Sequence, residues 1–326
     1  MNFKIFAELI ELKAKTASIF PFLLGLAYSL YHYQSVNLSA LAIYFVAMFM
    51  FNCFVDIWDN YNDYHKAVDT DDYQKNTNII GRENLSMGLI KSLLAFFFFG
   101  SLILGIIVAL MTGWAVFWLG LLCYAVGVFY AGGPKPLSSL PLGELLSGLT
   151  MGYVIFLICL YINSSQNFVW SFANLATTFL IALPNTLLIA NLMLANNTCD
   201  LEEDEANHRY TIVHYIGKKA ALIWWTTALI LAFVAIVVAV ILGLLSPIML
   251  LILLIAPLMI KFARPYLQKQ VKKETFISSV KILMVFQLVQ VLLFFVSLIK
   301  FYKRKTPNEL IWSFIIDCFR LICFFS

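Results

Sequence analysis

The apolar positions of this chain come in uninterrupted blocks of about twenty residues, not in the alternation of half-buried strands or the one-sided stripe of soluble helices. Gly, Pro and polar clusters separate the blocks, which read as spans near 16–33, 38–58, 89–111, 114–131, 144–163, 172–197, 219–243, 246–263 and 277–300. An unpaired backbone group in hydrocarbon costs several kcal/mol, so blocks of this length must satisfy their hydrogen bonds internally, as helices. The pattern predicts an all-α, polytopic membrane protein of about nine transmembrane helices, without strands.

Charge supplies orientation. The loops after the second, fourth, sixth and eighth spans carry Lys66, Lys75, Arg82, Lys135, Arg209, Lys218, Arg264, Lys269, Lys272 and Lys273, whereas the alternate loops 31–37, 163–168 and 243–247 contain no Lys or Arg. The bias of basic residues to the inner side predicts that the first set faces the cytoplasm, in the cell membrane. One cluster opposes this: nine spans put the C-terminus outside, yet Lys300, Lys303, Arg304 and Lys305 follow the last span. Segment 309–326 is apolar but holds Asp317 and Arg320, which fits either a helix lying on the membrane or a tenth span. No linker or low-complexity tract divides the remainder, so residues 1–305 are read as one transmembrane domain and 306–326 as a tail. Glu8 and Glu11 precede the first block with no small-residue cleavage pattern, so the N-terminus is expected to be retained.

Composition agrees with a bilayer as solvent, at 62% hydrophobic and 12% charged residues. The net charge of +4 is too small to imply a nucleic-acid partner, since the basic residues lie in membrane-flanking loops, and none is expected. Cys53, Cys123, Cys159, Cys199, Cys318 and Cys323 lack the short paired spacings of zinc or redox motifs and are expected to be buried thiols.

The chemistry is concentrated in two acidic clusters at span ends on the same predicted side. In the first, Asn52, Asp56, Asp59 and Asp63 follow i, i+4, i+7 and i+11, which stacks them on one helical face. In the second, Asn197, Asp200 and Asp204 are spaced to share a face. Stacked carboxylates repel each other by a few tenths of a kcal/mol even when solvated, and a cation resolves the conflict. Magnesium takes oxygen ligands, keeps some water, and is usually held by one or two carboxylates together with substrate phosphates. Asp56, Asp59, Asp200 and Asp204 are therefore the candidate magnesium ligands, with a diphosphate completing the shell. Acidic runs at helix ends are more often simply solvated, and Glu202, Glu203, Asp69, Asp71 and Asp72 are read that way. Intramembrane acids also mark ion pathways, which keeps an ion-coupled transporter as a rival; transporter sites, however, lie near the midplane on broken helices.

The residues between the acids resemble a known family. Val55-Asp56-Ile57-Trp58-Asp59-Asn60-Tyr61-Asn62-Asp63 keeps every Asp of the Asn-Asp-x-x-Asp-x-x-x-Asp motif of UbiA-type prenyltransferases, with Val55 in place of the leading Asn, and Asp200 and Asp204 match their second motif, Asp-x-x-x-Asp. Tyr130-Ala131-Gly132-Gly133-Pro134-Lys135-Pro136-Leu137, the pair Asn196-Asn197 and the stretch 75–86 are similar to the 1,4-dihydroxy-2-naphthoate polyprenyltransferase branch. The resemblance covers about residues 10 to 300. Cys199 stands where an Arg is common, and His208-Arg209-Tyr210-Thr211 occupies the place of a Gly-Lys-Arg-Thr-like run.

The resemblance implies a reaction: magnesium-dependent transfer of a polyprenyl group from a prenyl diphosphate to an aromatic acceptor. That acceptor would be 1,4-dihydroxy-2-naphthoate, decarboxylated to demethylmenaquinone, or alternatively 4-hydroxybenzoate or another ring. Lys75, Arg82, Lys135 and Arg209 flank the motifs as candidate cationic contacts, and Lys135 suits the acceptor carboxylate. Asn52, Asp63 and Asn197 complete the expected substrate contacts. Tyr130, ahead of the Gly-Gly loop, is the leading candidate to face a carbocation, with Trp58, Tyr61, Tyr153 and Trp118 behind it. The bilayer is the expected reservoir for the isoprenoid.

Overall fold

The computed structural model describes residues 1–66 and 76–305. The expectations for Lys75, Asp69, Asp71, Asp72 and the tail from 306 fall outside these residues. All regular structure among the described residues is helical. In chain order the helices are α1 (Phe3–Leu9), a 3-10 turn (Leu12–Lys15), α2 (Thr16–Tyr28) continued by a π-helical turn (Ser29–Tyr33), α3 (Leu38–Lys66), α4 (Ile79–Arg82), α5 (Met87–Thr112) and α6 (Trp114–Ala131). After a 3-10 turn (Leu137–Ser139) come α7 (Gly143–Ser147), a π-helical segment (Gly148–Val154) and α8 (Ile155–Ser164). Then follow α9 (Phe172–Cys199), α10 (Leu201–Ala206), α11 (Ile212–Ile241), a 3-10 segment (Pro247–Ile255), α12 (Ala256–Gln268) and α13 (Lys272–Lys305).

Eight of the described segments are long and apolar enough to cross a bilayer: Leu38–His65, Met87–Thr112, Trp114–Ala131, Gly143–Ser164, Phe172–Cys199, Ile212–Ile241, Pro247–Gln268 and Lys272–Ile299. They match the second to ninth expected spans; the first expected span, 16–33, falls on α2 and its π-helical turn, which are not among these eight. The protein is a multi-pass, all-helical membrane protein. Boundaries differ where polar residues stay helical. The second span was expected to end at 58, but α3 runs on to Lys66. Asn60 and Asn62 donate side-chain hydrogen bonds to the carbonyls of Asp56 and Trp58, 3.0 and 2.7 Å away, and Asn78 donates to the carbonyl of Asn60 at 3.0 Å. The seventh span was expected to start at 219; helix α11 starts earlier, with a break at Gly217, whose φ of 76° and ψ of 158° are non-helical.

The described chain packs as two compact units built from non-contiguous pieces. The first comprises Met1–Thr16, Asn37–Leu146 and Leu201–Tyr215. Here α3 lies along α5 and α6, and α1 and α4 pack on α3. Leu9 and Ile10, ahead of any span, are buried with Cys53, Phe54, Ile57, Ile79, Ile80 and Leu94, so the N-terminal helix is part of this core.

The second unit comprises Ala17–Val36, Ser147–Asp200 and the chain from Ile216 onward. Helix α9 packs against the π-helical segment Gly148–Val154 and against α13, which also packs on α12. Gly152 permits the first of these contacts: a Cβ there would stand 2.5 Å from Thr186 Cα and 2.6 Å from Thr186 N. Close backbone approach at small residues is how membrane helices gain packing when apolar burial gives no advantage over lipid. Polar side chains are turned inward, with Asn185 and Gln287 fully buried and Asn191 donating to the Trp225 carbonyl at 2.6 Å. Among the described cysteines, Cys53 and Cys159 are buried, Cys123 and Cys199 are partly buried, and all four are free thiols.

Candidate active site

Asn52, Asp56, Asp59 and Asp63 all lie on the single uninterrupted helix α3, as their spacing requires, and all four are partly buried. Lys15 approaches them from the 3-10 turn before α2. Its side chain is 4% exposed, and its ammonium donates to the Asn52 carbonyl at 2.9 Å and is pressed against Oδ2 of Asp56. Burial pulls the Lys15 pKa down to about 8, with Cys53 and Glu11 acting in the opposite direction. The Asn52 side chain bonds back along its own helix, donating to the Met48 carbonyl at 2.9 Å.

Trp58, between the two leading acids, ties α3 to the end of α6. Its Nε1 donates to the Val128 carbonyl at 3.0 Å, and its ring stacks on Tyr61 with centroids 5.7 Å apart. The two glycines of the following loop serve different needs. A Cβ at Gly132 would sit 2.6 Å from Trp58 Nε1 and 2.7 Å from the Val128 carbonyl, so space demands glycine; Gly133 has φ 87°, so backbone conformation does. Tyr130 is partly buried at the end of α6, and Lys135 is exposed beyond the glycines. Of the other aromatic candidates, Trp118 is 65% exposed, while Tyr153 lies in the π-helical segment with its hydroxyl 3.1 Å from Thr178 Oγ1.

The second motif is built differently from the expectation. Asn197, Asp200 and Asp204 do not share one continuous helical face, because α9 ends at Cys199, Asp200 is its C-cap with φ −96° and ψ 7°, and a new helix, α10, starts at Leu201. The restart is favourable locally: Glu202, Glu203 and Asp204 fall in the first turn of α10, where the helix dipole stabilises negative charge. At the end of α9 the Asp200 carboxylate is held by the ammonium of Lys272, the first residue of α13, which also reaches Asn196 Oδ1. Asn197 is buried beside them. Asp204 is 7% exposed and pairs with Arg209, Nε to Oδ1 3.0 Å, while the Arg209 amide donates to the Asp204 carbonyl at 2.8 Å. His208, in the place where the resemblance expects Gly, has φ 56°, a left-handed conformation that favours glycine.

Arg209 is thus a partner of a motif acid. Arg82 stands in exposed ion pairs with Glu8 at 2.7 Å and Glu83 at 3.3 Å. Lys15 and Lys272, the cations that touch Asp56 and Asp200, were not among the expected contacts. The available signal was charge balance: Lys15 immediately precedes the first apolar block, and Lys272 opens the approach to the last one.

The donor set fits magnesium. Every candidate ligand is a hard oxygen, and among the described residues no three His, Cys, Asp or Glu side chains group closely enough to hold an ion by themselves. A cation that accepts one or two carboxylates and takes its remaining ligands from water and phosphate suits such a site.

A multi-pass helical membrane protein with two aspartate motifs at helix ends is the class these features define. The sequence pattern of the UbiA prenyltransferase family matches residues 18–289, and the chain belongs to that family. It is 28% identical over 255 residues to the 1,4-dihydroxy-2-naphthoate octaprenyltransferase of Bacillus subtilis (strain 168), covering 78% of this chain and 79% of the relative. It shares the fold of a digeranylgeranylglyceryl phosphate synthase, with a TM-score of 0.63, 20% identity and coverage of 91% of this chain and 98% of that one. It also shares the fold of a UbiA homologue from Archaeoglobus fulgidus bound to GPP and Mg2+, with a TM-score of 0.61, 13% identity and coverage of 90% and 99%. The protein is an enzyme, a membrane prenyltransferase.

Proposed function

We propose that this prenyltransferase joins the polyprenyl group of a prenyl diphosphate to 1,4-dihydroxy-2-naphthoate on the cytoplasmic side of the cell membrane. The allylic carbon–oxygen bond breaks, a bond to the naphthalene ring forms, and the acceptor carboxyl group leaves as carbon dioxide, giving the hydroquinone form of a demethylmenaquinone and free diphosphate. The naming of the Bacillus relative supports the acceptor most directly, and it agrees with the Tyr130-to-Leu137 loop and the Asn196-Asn197 pair.

The single structural observation that carries the reading is that Asp56 and Asp200, the leading acids of the two motifs, each stand against a lysine ammonium, Asp56 within α3 and Asp200 at the C-cap of α9. Asp56, Asp59, Asp200 and Asp204 would hold magnesium, which when bound neutralises the charge developing on the departing diphosphate. Asn52, Asp63 and Asn197 are the proposed substrate contacts, Arg209 pairs with Asp204, and Lys75 and Arg82 are proposed as further cationic contacts from their positions in the sequence. Lys135 would receive the acceptor carboxylate and Tyr130 the positive charge that grows on the prenyl carbon. Reaction at the membrane border keeps the prenyl tail in hydrocarbon and water away from the cation.

Purified protein supplied with magnesium, a long prenyl diphosphate and dihydroxynaphthoate is expected to release carbon dioxide and diphosphate and to form a product of the corresponding mass. Prenylation of 4-hydroxybenzoate with dihydroxynaphthoate untouched would overturn the acceptor while leaving the reaction class. The orientation has its own check, in a background freed of native cysteines. Cysteines placed at Asn76 and Lys272 are expected to react with an impermeant thiol reagent only from the cytoplasmic side, and one at Ser165 only from outside. Labelling of all three from one side would overturn the orientation.

A further inference from the structure

The hairpin of α12 and α13 carries unbalanced positive charge. Between residues 256 and 284 the chain holds Lys261, Arg264, Lys269, Lys272, Lys273 and Lys281, with Glu274 as the only acid. Lys269 takes Glu274 at 3.0 Å and Lys272 takes Asp200, whereas Lys261, Arg264, Lys273 and Lys281 are exposed and have no carboxylate partner among the described residues. Two of these reach well inside the spans. Lys261 stands about two turns before the end of α12 and Lys281 about two and a half turns after the start of α13, within the apolar segments Pro247–Gln268 and Lys272–Ile299. The Lys281 ammonium lies 5.9 Å from the centroid of the Phe262 ring, which ties it to α12 at the residue next to Lys261. The surroundings are apolar and exposed. On α13, Lys273, Ile277, Lys281 and Met284 follow i, i+4, i+8 and i+11 along one exposed strip, and Leu258 and Ile260 are exposed on α12.

We propose that this hairpin binds the phosphate of an anionic membrane phospholipid, with Lys281, Lys261 and Lys273 around the phosphate and an acyl chain along Ile277 and Met284. Ammonium groups on a lipid-facing surface are costly away from bulk water, and they lower that cost by reaching the head-group layer or an anion held there. Helical side chains lean toward the N-terminus, which on α13 is the membrane border, so Lys281 reaches back toward Lys273. The negative face of the Phe262 ring attracts the Lys281 ammonium without accepting its N–H donors in line, which leaves them for phosphate oxygens. Depth selects the occupant. A soluble polyanion or an acidic peptide approaches only from water, whereas a phospholipid brings its phosphate to this level and its chain to the adjoining apolar strip together. Charge selects among lipids: a zwitterionic head group carries an ammonium of its own that the same three lysines repel, so a net negative head group fits better. Arg264, one turn along α12 from Lys261, adds to the attracting field. None of these residues is among the metal and substrate contacts proposed above.

The test places the full chain in phosphatidylcholine vesicles and compares, by electron spin resonance, how much spin-labelled phosphatidylglycerol and how much spin-labelled phosphatidylcholine is held at the protein surface. The unmodified protein is expected to prefer the anionic label at least about threefold. Lys261→Gln, Lys273→Gln and Lys281→Gln combined are expected to bring that preference close to parity. Lys4→Gln, Lys13→Gln and Lys91→Gln combined remove the same charge from exposed positions elsewhere and are expected to keep it. Lys281→Gln alone is expected to lower the preference about twofold, which keeps the site testable if the triple hairpin variant fails to fold. Lys281→Arg, which preserves the charge, is expected to retain the preference. No preference in the unmodified protein, an unchanged preference in the folded hairpin variants, or an equal loss in both triple variants overturns the site. Release of the anionic label by pyrophosphate added to the buffer at constant ionic strength assigns the cluster to a soluble phosphate and overturns lipid binding as well.

Discussion

Asp56→Asn and Asp200→Asn are each expected to lower turnover by at least about a hundredfold, measured as diphosphate release by purified protein in the presence of magnesium. Each change removes one anionic oxygen ligand while keeping size and shape, so the loss falls on charge neutralisation of the leaving group and not on packing. The two variants should differ in stability. Asp56 faces Lys15, whose side chain is 4% exposed, and breaking a buried pair typically costs about 3–5 kcal/mol because a charge is left unmatched. The Lys272 side chain opposite Asp200 is 45% exposed, and pairs of that kind contribute only about 0–1 kcal/mol. Asp200→Asn should therefore be inactive yet melt close to the unmodified protein, whereas Asp56→Asn should lose both activity and thermal stability. Near-normal magnesium-dependent turnover in both folded variants would remove the metal roles assigned to these acids.

The asymmetry between the two motifs was not legible in the sequence, and the reason is physical. Spans could be placed because a bilayer imposes one requirement everywhere: a long apolar helix. Trp114–Ala131, for instance, was placed to the residue. Helix ends answer to local hydrogen bonding instead. Helix α3 persists eight residues past its expected end through the Asn60 and Asn62 side chains, while α9 stops at Cys199 although the spacing of Asn197, Asp200 and Asp204 would suit one unbroken turn after another. The positions of the acids themselves were legible, since charged groups bordering hydrocarbon are costly and stand out. Their counter-charges were not, because Lys15 and Lys272 reach Asp56 and Asp200 across long sequence separations, and each looks from the sequence like ordinary basic flanking of a span. The role of Gly152 was equally hidden, as nothing in its neighbours says which helix it meets.

Gly152→Ala is expected to be among the most damaging small substitutions in the chain. The added methyl would lie 2.5 Å from Thr186 Cα, 2.6 Å from Thr186 N and 2.9 Å from the Asn185 carbonyl carbon, all of them backbone atoms of α9 that no rotamer change can move aside. Helix α9 must shift or the π-helical segment Gly148–Val154 must rearrange, at a cost of about 2–3 kcal/mol. Because α9 carries Asp200 at its C-cap, the shift also displaces a proposed metal ligand, and a misplacement of about 1 Å can cost up to a hundredfold in rate. Gly105→Ala supplies the contrast. A Cβ there meets nothing within 4 Å, and alanine in a helix interior is favoured over glycine by about 0.5–1 kcal/mol. Thermal unfolding in detergent is expected to fall markedly for Gly152→Ala and to hold or rise for Gly105→Ala, with turnover following the same order. If the two variants melt together and turn over alike, α9 does not pack on the Gly148–Val154 segment as closely as described, and Asp200 is positioned by something other than that contact.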